Sequence, residues 1–452
     1  AAGRDIRFHA ADCCFHVLKL HMPNSPFRDG VLSLLLGDVL RGSVVRALGL
    51  LGEVSEEGLK AEEAQNQSGR QTNSGDKKKS SRGKSSKRAD AEAAERFHEA
   101  LELMETIASI KVYLLMLDLE GAEEMLTGLC GAVFEVMEEL EGVVTRGDVE
   151  EDMDMDMGHG KLDGNSGPGS RVVLFGRVRE ALLNIVGGLI DDADSIPQSL
   201  LDVVLGHLAP SVMFGTSGAG PGSGGVAGSG AVAKQRDTLS SSFAKSLLQS
   251  RAALQPAVQK FVRQVLDGQT PADSDLAGNP SQLILRVHEA SPQMMLPVMP
   301  NIVPSLEDGR LGDARRAEIL DLLCSMFCES GKQGGGAINI LQQEYPELLE
   351  GVLQRMKDQS AHVRKVAFKH VGAIVNSLPG TAEKQRVVKA VGELLCHVDE
   401  RSRSMAVTQF CGIVAESPGL VDGEMFGKLG QRLWDSKIGV RKAAAAGIAN
   451  VI

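Results

Sequence analysis

The sequence predicts an all-α fold, a HEAT or armadillo-like helical-repeat solenoid with disordered insertions. Apolar residues recur at helical spacing, and no stretch alternates like a strand bounded by turns. The second half also contains a repeat of about 40 residues, the period of paired-helix arrays. Aromatic residues make up only 4% of the chain, which is low for an enzyme whose pocket is lined by rings.

The chain starts at Ala1 rather than Met and stops at Ile452 inside a predicted helix, so we expect a fragment of a longer protein. Its net charge of -11 argues against a nucleic-acid coat as the main function. Seven Cys without a CxxC pair indicate a reducing compartment, cytosol or nucleus. No apolar run is long enough for a membrane-spanning helix, so no membrane partner is expected.

Three predicted insertions interrupt the helices. Residues 56–92 are basic, residues 146–170 are acidic, and residues 215–236 are mostly Gly, Ala and Ser. We predict disorder for all three, because they lack the apolar periodicity needed to offset the entropy of ordering. They separate helical repeats at 1–55, 93–145, 171–214 and 237–452, the last being the HEAT-repeat array.

The helical segments have apolar stripes with the 3.6-residue period of an amphipathic helix. Ala93–Leu119 has such a stripe, and Glu123–Leu140 repeats the pattern. Val172–Ile190 and Ser199–Leu208 form a further predicted pair.

An Asp followed by an Arg recurs at the start of successive predicted helices in the array. Two copies read Asp, five residues, then Arg after a Val, and a looser copy lies between them. Arg316 begins a fourth copy. Because Asp favours helix starts and Arg binds carboxylates, we expect each Arg to reach the Asp of a neighbouring repeat. This Asp/Arg ladder comprises Asp358, Arg364, Asp399, Arg403, Asp435 and Arg441.

Candidate metal sites are weak. His9 and Cys13 are spaced for one face of a helix, with Cys14 and His16 beside them, and Cys324 and Cys328 have the same spacing. Neither pair has a second pair of ligands nearby, so ordinary packing is favoured over a metal site. The acidic run from Asp152 alternates like a calcium loop, but its Gly and final Glu are misplaced.

No catalytic arrangement is recognisable. The segment GSGGVAGSG has Gly-x-Gly spacing but follows no strand, so a linker is favoured over a dinucleotide site. Ser, His and Asp residues are present without a nucleophile elbow. The sequence therefore predicts no enzyme, no cofactor, no metal and no small-molecule substrate.

A dense basic run lies in the first insertion. It is compatible with a nuclear-import signal, a weak phosphate contact or a solvated loop, and aromatic residues for base stacking are absent. Its charged members are Lys77, Lys78, Lys79, Arg82, Lys84, Lys87 and Arg88.

Several segments resemble the cohesin-associated sister chromatid cohesion proteins named for precocious dissociation of sisters. DIRFHAADCCFHVLKLHMPNSPF is similar to that family's helix and Pro-x-x-Pro-aromatic turn, here Pro23, Pro26 and Phe27. ELMETIASIKVYLLMLDLE resembles its helix with a Lys-aromatic pair, here Lys111 and Tyr113. QSLLDVVLGHLAP and WDSKIGVRKAAAAGIA resemble later family segments, although the insertions and the missing Val before Arg403 depart from the pattern.

The resemblance implies a helical-repeat protein without catalytic activity that acts in the nucleus on chromosomes. The expected partners are the kleisin subunit of cohesin and the wings-apart-like releasing factor, with chromatin contacted indirectly. Two alternatives stay open: another HEAT scaffold, such as a nuclear transport or trafficking adaptor, and a protein that binds DNA directly.

One helix offers a candidate partner-binding face. Between Arg401 and Glu416, helical spacing predicts that Val407, Phe410, Cys411 and Val414 point inward. The resemblance implies that a kleisin segment lies along the repeats here, and the alternative is an ordinary solvent-facing side. The candidate face consists of Arg401, Ser404, Met405 and Thr408.

Overall fold

A computed structural model describes residues 2–21, 25–53, 82–144, 171–208, 238–268, 280–307, 311–329 and 340–451. Across these ranges the regular structure is helical and contains no strand, which confirms the all-α prediction. The chain divides into two compact units, Ala1–Ala257 and Val258–Ile452. This division falls inside the stretch 237–452 that the sequence assigns to one array.

The first unit is built from long helices with irregular connections. A π-helical segment, Leu34–Val39, joins the second and third helices, and a 3₁₀ segment, Val112–Asp118, follows the fourth. The helices are α1 (Ala2–His21), α2 (Asp29–Ser33), α3 (Leu40–Glu53), α4 (Arg82–Ile110), α5 (Ala122–Val144), α6 (Arg171–Asp192), α7 (Gln198–Gly206) and α8 (Leu239–Ser250).

Two sequence predictions in this unit are wrong. Helix α4 begins at Arg82, so residues 82–92 are helical rather than part of a disordered insertion, and the Ala and Glu residues there favour helix. The stripe predicted from Ala93 to Leu119 is also not one helix. It breaks at Lys111, whose φ of 58° is left-handed, and a 3₁₀ turn then buries Val112 and Tyr113.

The remaining predicted insertions lie outside the described residues: 56–81, 146–170 and 215–236. The same is true of the acidic run that begins at Asp152. No helix in the described ranges is long and apolar enough to cross a membrane.

The second unit is more regular. After α9, which begins in the first unit, its helices are α10 (Pro280–Ala290), α11 (Pro292–Met295), α12 (Met299–Glu307), α13 (Asp313–Glu329), α14 (Ile340–Glu344), α15 (Glu347–Arg355), α16 (Ala361–Ser377), α17 (Thr381–Leu394), α18 (Glu400–Glu416), α19 (Gly423–Gln431) and α20 (Ile438–Val451). Helix α9 spans Gln255–Leu266.

Successive helix pairs form two layers in the second unit. Helices α13, α16, α18 and α20 pack side by side, while α15, α17 and α19 belong to the other layer. Burying one apolar face against the other layer leaves the opposite face of each helix open. Stacked pairs therefore present a row of similar helix faces, which is the surface that repeat proteins offer to partners.

Candidate partner-binding surface

Arginines at the start of the α13, α16 and α18 helices bind carboxylates of the next repeat. Nη1 of Arg316 lies 3.1 Å from Asp358, and Nη2 of Arg364 lies 3.2 Å from Asp399. Arg403 binds Asp435 with both Nε and Nη2, at 2.8 and 2.9 Å. The structure thus brings five of the six sequence-predicted ladder residues into contacts across consecutive repeats, and Arg441 is the exception.

Arg364 and Arg403 also hold the turn before their own helices. Nη1 of Arg364 donates to the carbonyls of Asp358 and Gln359 at 2.8 and 2.9 Å. Nη1 of Arg403 does the same with His397 and Val398, each at 2.9 Å. These bonds satisfy carbonyls that would otherwise be orphaned at the helix start.

Arg441 occupies the same position in the last described repeat. Its Nη1 donates to the carbonyls of Asp435 and Ser436, at 2.6 and 3.1 Å. Among the described residues, Arg441 forms no ion pair with a carboxylate. It therefore makes the hydrogen bonds to its own turn that Arg364 and Arg403 also make, but not their ion pair with a carboxylate of the next repeat.

The ladder also includes two arginines that the sequence interpretation missed. Arg355 and Arg432 lie three residues before Asp358 and Asp435 and bind them at 3.2 and 3.1 Å. Both buried carboxylates therefore receive guanidinium groups from their own repeat and from the previous one. The shared pattern Arg-x-x-Asp could have revealed this pairing.

Asp399 is bound differently, because it stands four residues before its Arg instead of six. It caps helix α18, accepting from the backbone N–H and the hydroxyl of Ser402, each at 2.9 Å. The buried Ser402 hydroxyl in turn accepts from Nε of Arg364 at 2.9 Å. Ser402 was not predicted, and nothing in its sequence position signals this role.

The ladder contacts lower the pKa of the Asp435 and Asp399 carboxyls. The hydrogen bonds from Arg403 lower the pKa of Asp435 to about 2. Burial acts to raise the pKa of Asp399, but the hydrogen bonds from Ser402 and Arg364 outweigh it, and that pKa is lowered. Both groups are therefore charged at neutral pH.

The predicted inward residues of α18, Val407, Phe410, Cys411 and Val414, are all buried. On the candidate face, Arg401 and Thr408 are exposed, and Ser404 and Met405 are half-buried. Three of the four, Ser404, Met405 and Thr408, line a groove of about 260 Å³ between α16 and α18. Lys365, Phe368, Lys369 and Gln409 complete that groove, and Arg401 lies outside it.

The first unit has its own concavity, about 490 Å³, between α1 and the π-helical segment. Cys14 lies in its wall, Cys13 is exposed, and Nδ1 of His16 lies 3.0 Å from the carbonyl of Asp12.

In the described part of the chain, no group of three or more His, Cys, Asp or Glu residues could hold a metal ion. Burial raises the pKa of the Cys324 thiol well above its ordinary value.

The predicted basic run is divided by the start of α4. Lys77, Lys78 and Lys79 lie outside the described residues. Arg82, Lys84, Lys87 and Arg88 belong to the first turns of α4, a change from the loop that the sequence predicted.

Comparisons with known proteins agree on one family. A family model described as "Sister chromatid cohesion protein PDS5 protein" matches residues 2–451. The chain is 22% identical, over 356 residues, to sister chromatid cohesion protein PDS5 homolog B from Homo sapiens and from Gallus gallus. Those matches cover 78% of this chain, 20% of the human protein and 21% of the chicken protein.

A solved structure described as "Structure of the Pds5-Scc1 complex and implications for cohesin function" has the same fold, with a TM-score of 0.61. It is 14% identical to this chain, and the match covers 98% of this chain and 53% of that one. The chain thus spans about a fifth of the length of the curated relatives that it matches.

Proposed function

This chain belongs to the PDS5 family of sister chromatid cohesion proteins, and on that premise we propose that it binds cohesin through the kleisin subunit. It acts as a non-enzymatic scaffold that regulates sister chromatid cohesion and cohesin release in the cell cycle. The supporting observation is the family match over residues 2–451. The open faces of α16 and α18, with a groove between them, are consistent with a protein-binding scaffold.

The kleisin surface that we propose is the outer face of α18. Arg401 and Thr408 are exposed, while Ser404 and Met405 line the groove against α16. A flexible Met beside short side chains accommodates a partner helix laid between repeats. The buried face of the same helix keeps these four positions fixed in space.

The test is isothermal titration of a recombinant kleisin subunit into the wild-type chain and into the double variant Arg401→Glu, Thr408→Lys. A matched control is Gln385→Lys with Lys389→Glu, which makes the same net charge change on exposed positions of α17 in the other layer. We expect weaker binding only for the α18 variant. Unchanged affinity in both, with unchanged melting temperatures, removes α18 from the interface.

Direct DNA binding is the competing outcome. A duplex that bound through phosphates would lose affinity steeply between about 50 and about 200 mM salt. If the chain bound duplex in this way and did not bind kleisin, the scaffold proposal would be overturned.

We also propose that the chain binds the wings-apart-like releasing factor and works on chromosomes in the nucleus. The nuclear assignment is supported by the family and by the basic run that starts at Lys77. Replacing Lys77, Lys78 and Lys79 with Ala should lower the nuclear fraction of a fluorescent fusion without changing its melting temperature. A separate pulldown of the releasing factor tests the second partner, and absence of binding at micromolar concentrations contradicts it.

A further inference from the structure

The open side of α16, α18 and α20 is a ridge of basic side chains. Lys365 and Lys442 each follow a ladder Arg directly, so they occupy the same position in two repeats, and both are exposed. Lys369, one turn further along α16, and Arg401, at the start of α18, are also exposed. This basic ridge, defined by these four residues, lies on a chain whose net charge is -11.

Three of the four charges have no acidic counterpart. Lys369 lies 2.9 Å from Asp321, which also accepts from His370 at 2.7 Å. Among the described residues, Lys365, Arg401 and Lys442 form no ion pair. Glu400, half-buried at the start of α18, adjoins Arg401 in sequence but does not pair with it. Unneutralised cations on a low-dielectric protein wall attract an anionic partner and orient it.

The groove adds an apolar contact beside these charges. Phe368 is buried, at 1% exposure, Met405 is half-buried, and Lys365 and Lys369 stand on the α16 side. An opening of about 260 Å³ with aliphatic, sulfur and aromatic walls suits one apolar side chain of a bound segment. The surface therefore combines one apolar recess with two lysines on its α16 side and with Arg401 at the start of α18.

We propose that the basic ridge binds an acidic peptide segment whose apolar side chain enters the groove between α16 and α18. The inference deepens the proposed function and rests on it, because the segment is assigned to the kleisin. Carboxylates of the segment pair with Lys365, Arg401 and Lys442, while Met405 and Phe368 contact its apolar residue. The cations select for acidic residues and the groove selects for an apolar side chain. The site is therefore specific for short acidic motifs that contain an apolar residue.

A peptide fits this surface better than a nucleic acid does. Duplex DNA has one negative charge for about each 1.7 Å of its axis. Three unpaired cations are few against that charge density. An apolar recess also contributes nothing to binding a sugar-phosphate backbone, whereas it does contribute to binding a peptide side chain.

The experiment uses overlapping peptides of about 20 residues that together cover the kleisin subunit, since a typical interface uses about that many residues a side. Fluorescence anisotropy measures their affinity for the wild-type chain and for Lys365→Glu with Lys442→Glu. The control variant is Lys384→Glu with Lys389→Glu, which makes the same charge change on α17. A short DNA duplex is titrated alongside.

We expect the tightest-binding peptides to be acidic and to include an apolar residue. The ridge variant should weaken them at least about tenfold and the α17 control by less than about twofold. Replacing the apolar residue of the peptide with Ser should weaken binding further, in the wild type and the ridge variant alike.

Three results would overturn the proposal: the tightest peptides are neutral or basic, the ridge variant binds like the control, or no peptide binds. Duplex binding that is lost in the ridge variant, without peptide binding, would assign the ridge to nucleic acid instead. Titrating the intact kleisin against the wild-type chain and the ridge variant distinguishes a failure of the proposed function from a failure of this inference. If it binds while the ridge variant has no effect, the proposed function stands and only this inference fails.

Discussion

Arginines connect neighbouring helices inside each of the two compact units, and the pattern of these contacts differs between the units. In the second unit the same contact recurs, because Arg316, Arg364 and Arg403 each reach the Asp of the following repeat. In the first unit each link is unique: Arg177 pairs with Glu105 at 2.8 Å, and Arg251 binds Asp191. A contact repeated with the fold's period can be recognised in the sequence, whereas a unique contact leaves no pattern.

The first unit also depends on unique backbone features. Tyr113 lies buried just after the left-handed Lys111, and its hydroxyl donates to the carbonyl of Asn184 at 2.9 Å. Gly188 gives this ring space, since an added Cβ would lie 2.5 Å from the Tyr113 hydroxyl. The position of the ring therefore depends on one strained residue and one glycine.

The largest expected effect is the loss of a ladder arginine. Arg403→Ala should lower the free energy of unfolding of the second unit by about 3 kcal/mol, because the buried Asp435 loses a bidentate partner and retains only Arg432 and the backbone N–H of Lys437. Hydrogen exchange of α18 and α20 measures the change within that unit.

A matched control is Arg386→Ala. Arg386 pairs with Glu350 at 3.0 Å, but both side chains are more than half exposed, so the loss should be less than about 1 kcal/mol. Equal effects of Arg403→Ala and Arg386→Ala would show that the ladder contributes no more than a surface pair.

Acidification should weaken the second unit through the same contact. The pKa of Asp435 is about 2 in the folded chain against an ordinary 3.8, so its stabilisation is fully present above pH 3.8 and is lost as pH falls towards 2. A difference of this size corresponds to about 2 kcal/mol. Urea unfolding at a series of pH values measures the free energy of unfolding. The difference in this free energy between the wild type and Asp435→Asn should shrink across that window.

The sequence was sufficient to predict the all-α fold, the period of the repeat and three Arg–Asp pairs, since each leaves a recurring signal. It did not reveal the role of Ser402, which enters the ladder only because Asp399 sits two residues later than its counterparts. It also missed the break at Lys111, since the apolar stripe continues through the 3₁₀ turn. The groove at Met405 needed the position of a second helix, which the pattern of α18 alone does not supply.

A smaller effect tests whether the two units respond independently. Tyr113→Phe removes a part-buried hydrogen bond in the first unit, and Tyr345→Phe removes the part-buried bond from its hydroxyl to the Leu296 carbonyl, 2.7 Å, in the second. Each change should cost about 1 kcal/mol. Hydrogen exchange should rise only in the unit that was changed, and a rise in both would show that the units unfold together.

An effect well below that of Arg403→Ala is expected at Arg441. This half-exposed side chain binds two turn carbonyls and, within the described residues, no carboxylate. Arg441→Ala should therefore cost about 1 kcal/mol, the value of hydrogen bonds without a buried ion pair. The difference from Arg403→Ala then measures the carboxylate contact, because both arginines hold their own turns in the same way. If the two substitutions cost the same in hydrogen exchange of α20, the ladder stabilises the repeats by holding turns, and the Asp residues serve mainly as helix caps.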